Sequence, residues 1–230
     1  MGTLYLVRHG QASFGADDYD QLSELGHRQS RRLGAYFASR GLEFSATIRG
    51  SLKRQAETLV GIAEGMAQSG GQDITQDLNP TVWPGLNEYD SHAVISAIHP
   101  MPLPKPETPA LYRQHFRILR DGLTQWMAGV TSPHGMPSYV EFVNGVASAL
   151  AHVRHNADGN VLMVSSGGPI ATAVGHVLGC PPESTIELNL RIRNTAVSEF
   201  NFNPKRMNLV TFNTLPHLDD KDYAGWITHA

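Results

Sequence analysis

Cysteine is almost absent: Cys180 is the only one in 230 residues. No internal disulfide can form, and with no recognisable base beside it the thiol reads as a core side chain rather than a nucleophile. Long apolar runs are also missing. None approaches the roughly 20 residues needed to span a bilayer, and the first residues read as a strand rather than a basic, cleavable leader. A cytoplasmic location without membrane contact is the expectation. A surplus of charge is lacking too, with 17% charged residues and a formal net charge of -3. That balance gives no overall pull toward nucleic acid or anionic lipid, so any recognition of phosphate has to be local. Repeats of solenoid period and low-complexity tails do not occur. The one proline-dense stretch, Pro100 to Pro109, reads as an extended loop, although alternating proline also suits a polyproline ligand.

What is present is an ordinary globular composition, 41% hydrophobic. A chain of this length accommodates one α/β domain with insertions or two small domains. Its most informative segment is Val7-Arg8-His9-Gly10, which closes the apolar run Leu4 to Val7. Continuous apolar strands suit a parallel sheet covered on both faces, and ligands bind such sheets at the carboxyl ends of strands. An imidazole that attacks phosphorus, a guanidinium that pairs with two phosphate oxygens and a glycine that lets the backbone approach closely make phosphoryl transfer the first hypothesis.

Strands and helices are expected to alternate. Ser23 can cap a helix running to about Arg40, with Gly41 at its stop, and a strand follows from Phe44 to Ile48. Ser51 can cap the next helix, which carries Leu52, Ala56, Leu59, Val60 and Ala63 on one side and ends near Gly70-Gly71. Ser138 and Glu141 have the spacing of a capping box ahead of a clear helical period, and Val161 to Val164 reads as another buried strand. Gly167-Gly168-Pro169 then opens a helix, and alternating segments at Ala196 to Phe202 and Asn208 to Phe212 complete the sheet. The pattern predicts a three-layer α/β/α fold around a doubly wound, mostly parallel sheet. A helical cap insertion is expected at about residues 87–136, within a single domain spanning 1–230. Its aromatic residues, including Tyr89, Tyr112 and Trp126, and His115, would line a substrate pocket or, as the preferred reading, form the insertion's own core.

Several segments, in this order, resemble the histidine phosphatase superfamily, which includes the cofactor-dependent phosphoglycerate mutases. They are Arg8-His9-Gly10; Leu22 to Gly26, similar to a Leu-Thr-x-x-Gly helix start; and Ser51 to Thr58, similar to Ser-x-Leu-x-Arg-Ala-x-x-Thr at its arginine and threonine positions. Leu86-Asn87-Glu88 resembles the Leu-x-Glu segment, Val164 to Gly168 resembles Val-Ser-His-Gly-Gly, and Asn194 stands where the family often has asparagine. The resemblance implies a metal-independent phosphomonoester hydrolase with no cofactor, acting on a small organic phosphate. His9 would become the phosphohistidine, Arg8 and Arg54 would cradle the phosphate, and Glu88 would serve as general acid and base. Gln11 would turn an amide toward the phosphate, and the Gly167-Gly168 turn would offer backbone N–H groups to an anion. At the position of the family's second histidine this chain has Ser166, a neutral donor in place of a charged one.

Three readings of Ser166 follow: it suffices for slow or specialised phosphatase chemistry, a cap histidine such as His92 or His134 reaches in, or the site binds phosphate without turnover. A catalytically weak binding or regulatory module is therefore the main alternative, and a phosphoglycerate mutase-type phosphotransferase the second. Asp90 competes with Glu88 as the acid. A serine-nucleophile reading of Ser165 or Ser166 lacks the Gly-x-Ser-x-Gly pattern. The pair His152 and His155 has the spacing of half a zinc site but reads as a solvated face, and no metal site is expected. Arg28, Arg31 and Arg32 read as a charged outer helix face. Apolar positions on unassigned faces leave a homodimer open.

Overall fold

The structure is a computed structural model and describes residues 1–13, 20–74, 79–104 and 108–229. A six-stranded sheet has the order β3-β2-β4-β1-β5-β6, formed by β1 (Gly2–Arg8), β2 (Ala46–Arg49), β3 (Thr81–Val82), β4 (Gly159–Ser165), β5 (Val197–Asn203) and β6 (Arg206–Thr214). The β1–β4, β2–β4 and β2–β3 pairings are parallel. The β1–β5 and β5–β6 pairings are antiparallel. The last reversal has a local cause: Asn203 Oδ1 accepts from the N–H groups of Lys205 and Arg206, a tight turn that can only join antiparallel neighbours.

Helices cover both faces. α1 (Glu24–Ser39) and α2 (Lys53–Gln68) pack Leu33, Phe37, Leu59, Ile62 and Met66 against Val7, Leu162 and Val164. On the other face α5 (Tyr139–Asn156) and α6 (Gly167–Leu178) bring Val146, Leu150, Ile170 and Val174 onto Leu4, Leu6, Val161 and Met163. Alternate residues of β1 and β4 thus serve opposite cores, as expected for strands buried on both sides. Burial of each large aliphatic side chain contributes about 1.5–3 kcal/mol. The intervening segment supplies α3 (Ser91–Ile98) and α4 (Pro109–Met127), which share a smaller core with α5 and with α7 (Pro182–Asn189), made of Val94, Leu123, Trp126, Phe142 and Ile186.

Several local expectations hold. Ser23 accepts from Gly26 N to cap α1, Gly41 adopts φ 62 after it, and Ser138 and Glu141 form the capping box of α5. Others need correction. β2 begins at Ala46 rather than Phe44 because the Gln72 side-chain amide takes both backbone groups of Phe44, whose ring packs edge-on against Tyr5 and Phe37. The N-cap residue of α2 is Leu52, not Ser51, since Ser51 pairs with Asn87 while Asp20 Oδ2 accepts from Lys53 N. Leu59 and Ala63 of α2 are buried as expected, but Val60 is 49% exposed, and Gln55, Thr58, Ile62 and Met66 complete the inward face. Cys180 is only half-buried because it follows the left-handed turn at Gly179 that ends α6. Residues 105–107 of the proline stretch and 14–19 of the loop after β1 lie outside the described residues.

Candidate active site

The site forms where β1 and β4 end side by side. Arg8 is in register with Ser165, and the His9 N–H donates to the Ser165 carbonyl at 2.9 Å, so His9 and Ser166 leave neighbouring strands at the same level. Glycine makes the turn beyond them compact. The Gly10 N–H donates to Thr58 Oγ1 at 3.0 Å, and a Cβ on Gly26 would lie 2.2 Å from the Gln11 carbonyl. That contact explains the glycine of the Leu22 to Gly26 segment: α1 starts directly against the backbone of the loop.

His9 is buried at 4% exposure. Its Nδ1 lies 2.7 Å from the Gly10 carbonyl, an acceptor only, so Nδ1 carries the proton, and Nε2 accepts from Arg54 Nε at 3.2 Å. Burial first, then the charges of Arg8 and Arg54, hold the ring's pKa well below its ordinary value. The ring is neutral, with its lone pair on Nε2.

Arg54 rises from the first turn of α2, where Asp20 Oδ1 accepts from its Nη1 at 2.7 Å. Arg8 donates from Nη1 to the Ile192 carbonyl and, at 2.7 Å, to the His229 carbonyl. Glu88 follows the single-turn 3-10 helix at Pro84–Leu86, and both its carboxyl oxygens accept from Gly168 N, at 3.0 and 3.2 Å. A Cβ on Gly168 would lie 2.3 Å from Glu88 Oε1, so only glycine admits the carboxyl here. Burial raises the Glu88 pKa, while the Gly168 N–H, Arg8 and Arg54 pull in the other direction. Asp90 is elsewhere: it caps α3 by accepting from the N–H groups of His92 and Ala93.

Ser166 is fully buried at the start of α6, and its hydroxyl accepts from Gln55 Nε2 at 2.9 Å. His92 and His134, the cap histidines that the sequence offered as a replacement donor, are exposed. The Gln11 side-chain oxygen Oε1 accepts from Ser23 Oγ at 2.8 Å. Tyr89 and Trp126 belong to the small core under α4 rather than to a pocket wall, and Tyr112 is 43% exposed. His152 packs on Trp83, and among the described residues no group of three or more His, Cys, Asp or Glu side chains is placed to hold a metal ion.

Sequence reasoning missed the partners that hold these groups. Asp20, Gln55 and Gln29 carry no periodic or motif signal. Gln29 Oε1 accepts from Gln11 N while Nε2 donates to the Trp226 carbonyl and Thr228 Oγ1. Asn194 in turn donates from Nδ2 to the His9 carbonyl and accepts from Thr228 Oγ1. Arg28 and Arg32 of the supposed solvated face lie over the rings of Trp226 and Tyr223, and Arg31 pairs with Glu64. Thr195 has φ 55, strained for a β-branched residue, and donates its N–H to the Arg8 and His9 carbonyls. Its hydroxyl meets Nε2 of His217, whose pKa burial lowers to about 3, so that this ring too stays neutral.

Asp20 sets a measurable electrostatic balance. One negative charge beside a bound dianion costs about 2 kcal/mol at 4 Å in water-like dielectric, less once salt screens it. Asp20→Asn removes that charge and keeps one acceptor oxygen, enough for the Arg54 contact but not for Lys53 N as well. Inorganic phosphate is expected to bind the variant several-fold more tightly by titration calorimetry.

The fold and this geometry define an α/β protein whose strand ends present a buried neutral histidine, two arginines and a carboxyl. The profile of the histidine phosphatase superfamily (branch 1) matches residues 4–99 and 105–215. The chain belongs to that superfamily. A 2,3-bisphosphoglycerate-dependent phosphoglycerate mutase of Methylorubrum populi is 31% identical over 93 residues, 38% of this chain and 41% of that protein, so the match spans about two-fifths of the relative's length. Among solved structures, phosphoserine phosphatase from Entamoeba histolytica superposes with TM-score 0.62 at 19% identity, covering 95% of this chain and 100% of that one. Mycobacterial glucosyl-3-phosphoglycerate phosphatase gives TM-score 0.62 at 21% identity, covering 93% and 99%. Phosphoglycerate mutase from Bacillus anthracis gives 0.62 at 15%, covering 94% of each chain. At these identities the structural likeness is one of fold. No helix among the described residues is long and apolar enough to cross a membrane.

Proposed function

We propose that the protein is a metal-independent phosphomonoester hydrolase that acts on a small organic phosphate through a phosphohistidine on His9. The observation that carries this reading is the neutral His9 ring, with Nδ1 committed to Gly10 and the lone pair on Nε2. When substrate arrives, Arg54 exchanges its contact with Nε2 for a phosphate oxygen and exposes that lone pair. Nε2 attacks phosphorus, the P–O bond to the alcohol breaks, and the leaving oxygen takes the proton of Glu88. Water then attacks the phosphohistidine, giving its proton to the Glu88 carboxylate. The P–N bond breaks, its electron pair returns to Nε2, and inorganic phosphate leaves.

Arg8 and Arg54 supply the positive charge that such a transfer requires, since two guanidinium groups neutralise a phosphate dianion without a metal. The segment at about residues 87–136 acts as the cap, which brings Glu88 to the phosphate and limits the size of the alcohol. The superfamily membership and the phosphatases among the structural neighbours support hydrolysis. Release of inorganic phosphate from a panel of phosphomonoesters, with chelator present throughout, tests the proposal. Chelator-resistant turnover is expected. A protein that phosphate stabilises thermally but that turns over no ester is a binding module instead.

A further inference from the structure

Gln55 stands where the family pattern has alanine, and Ser166 where it has histidine. These departures, 111 residues apart, are in direct contact. Gln55 is fully buried, and each of its amide groups is committed: Oε1 accepts from Leu52 N at 3.3 Å, and Nε2 donates to the Leu86 carbonyl and to Ser166 Oγ, both at 2.9 Å. The Leu86 carbonyl can only accept, so the amide cannot be flipped, and Ser166 Oγ is necessarily the acceptor in its contact with Gln55. The Leu86 carbonyl also accepts from Ser165 Oγ at 2.8 Å, which fills its second lone pair and leaves no place there for the Ser166 proton. Space for Gln55 comes from Gly50, where a Cβ would lie 2.0 Å from Gln55 Oε1.

We infer that Gln55 is a positioning residue that occupies a lone pair of Ser166 and so turns the serine hydroxyl into a donor aimed at the transferring phosphoryl group. The inference rests on the phosphatase reading above. The Gln55–Ser166 pair then gives a neutral hydrogen bond to the phosphoryl oxygen from the position of the family's second histidine. Such a bond strengthens as charge builds on that oxygen, so its loss appears in kcat more than in KM.

A double-mutant cycle tests this. Ser166→Ala is expected to lower kcat about 100-fold, the usual loss for one preorganised donor, and Gln55→Ala about 10-fold, with KM changed little in either. If Gln55 works through Ser166, adding Gln55→Ala to Ser166→Ala lowers kcat no further. A drop that multiplies in the double variant, or native kcat in Gln55→Ala, overturns the inference while native turnover leaves the phosphatase reading standing. No turnover by the folded native protein overturns both. Gln55→Glu guards against simple loss of folding: it fills the same space, but its carboxylate captures the Ser166 proton. Its kcat is expected to fall at neutral pH and recover as acid protonates the new carboxyl; a flat pH ratio against the native protein counts against the donor role.

Discussion

Replacing His9 with alanine is expected to abolish phosphate release, with a loss of about 10⁴-fold or more. Removal of a nucleophile leaves only the acceleration that binding and electrostatics provide. The substitution empties a buried position but spares Arg8, Arg54 and Asp20, so inorganic phosphate should still raise the thermal midpoint of His9→Ala. Two measurements check this together. Brief exposure to a labelled phosphomonoester, followed by quenching in base, should leave label on the native protein and none on the variant, and thermal shifts with phosphate should persist in both. Turnover in His9→Ala within tenfold of native would end the phosphohistidine reading.

Glu88→Gln should lower kcat by about 10²- to 10⁴-fold, the range for a general acid–base group. It should also change the shape of the pH profile. The first half-reaction needs neutral His9 and protonated Glu88. The His9 pKa lies well below its ordinary value, so activity falls on the acid side only as pH drops through that depressed value and the ring gains a proton. The Glu88 pKa is raised by burial, so the proton needed by the leaving oxygen persists to higher pH and is lost as pH rises through the raised value. The native profile of kcat/KM is therefore a bell. Glutamine cannot titrate, and the alkaline limb should disappear from the variant while the acid limb remains. The substrate's own second ionisation, near pH 6, is common to both proteins and cancels in their ratio. An unchanged alkaline limb would assign that ionisation to another group and remove Glu88 from the acid role.

Both expectations rest on residues the sequence already marked, and the reason is local. β1 could be recognised because a strand buried on both faces is apolar at every position, and Arg8-His9-Gly10 follows where that run stops. Ser23 with α1 and Ser138 with Glu141 were equally legible, since a cap satisfies N–H groups only two or three residues away. The family resemblance favoured Glu88, but Asp90 two residues on remained a competitor in the sequence. The structure separates them by giving Asp90 a helix to cap and Glu88 the Gly168 N–H on another element.

Ser51 shows where local reading stops. It has the right chemistry and position for a cap, yet Asn87 claims its hydroxyl and Asp20 supplies an acceptor to the helix from across the loop. Arg28 and Arg32 face outward on a helix as their sequence suggests; what it could not show is that Trp226 and Tyr223, from the far end of the chain, stack against them.

By itself, then, the sequence determined the succession of strands and helices, the two-sided burial of the central strands, and the histidine, arginines and carboxyl that the proposed chemistry needs. Tertiary structure alone decided which atoms of those groups meet: the tautomer of His9 through Gly10 and Arg54, the aim of Arg54 through Asp20, and the hydrogen-bond role of Ser166 through Gln55. The physical reason is range. Backbone periodicity and capping act within a few residues and leave a pattern in the chain, whereas a hydrogen bond across 34 or 111 residues depends only on where the packed sheet and helices bring its partners.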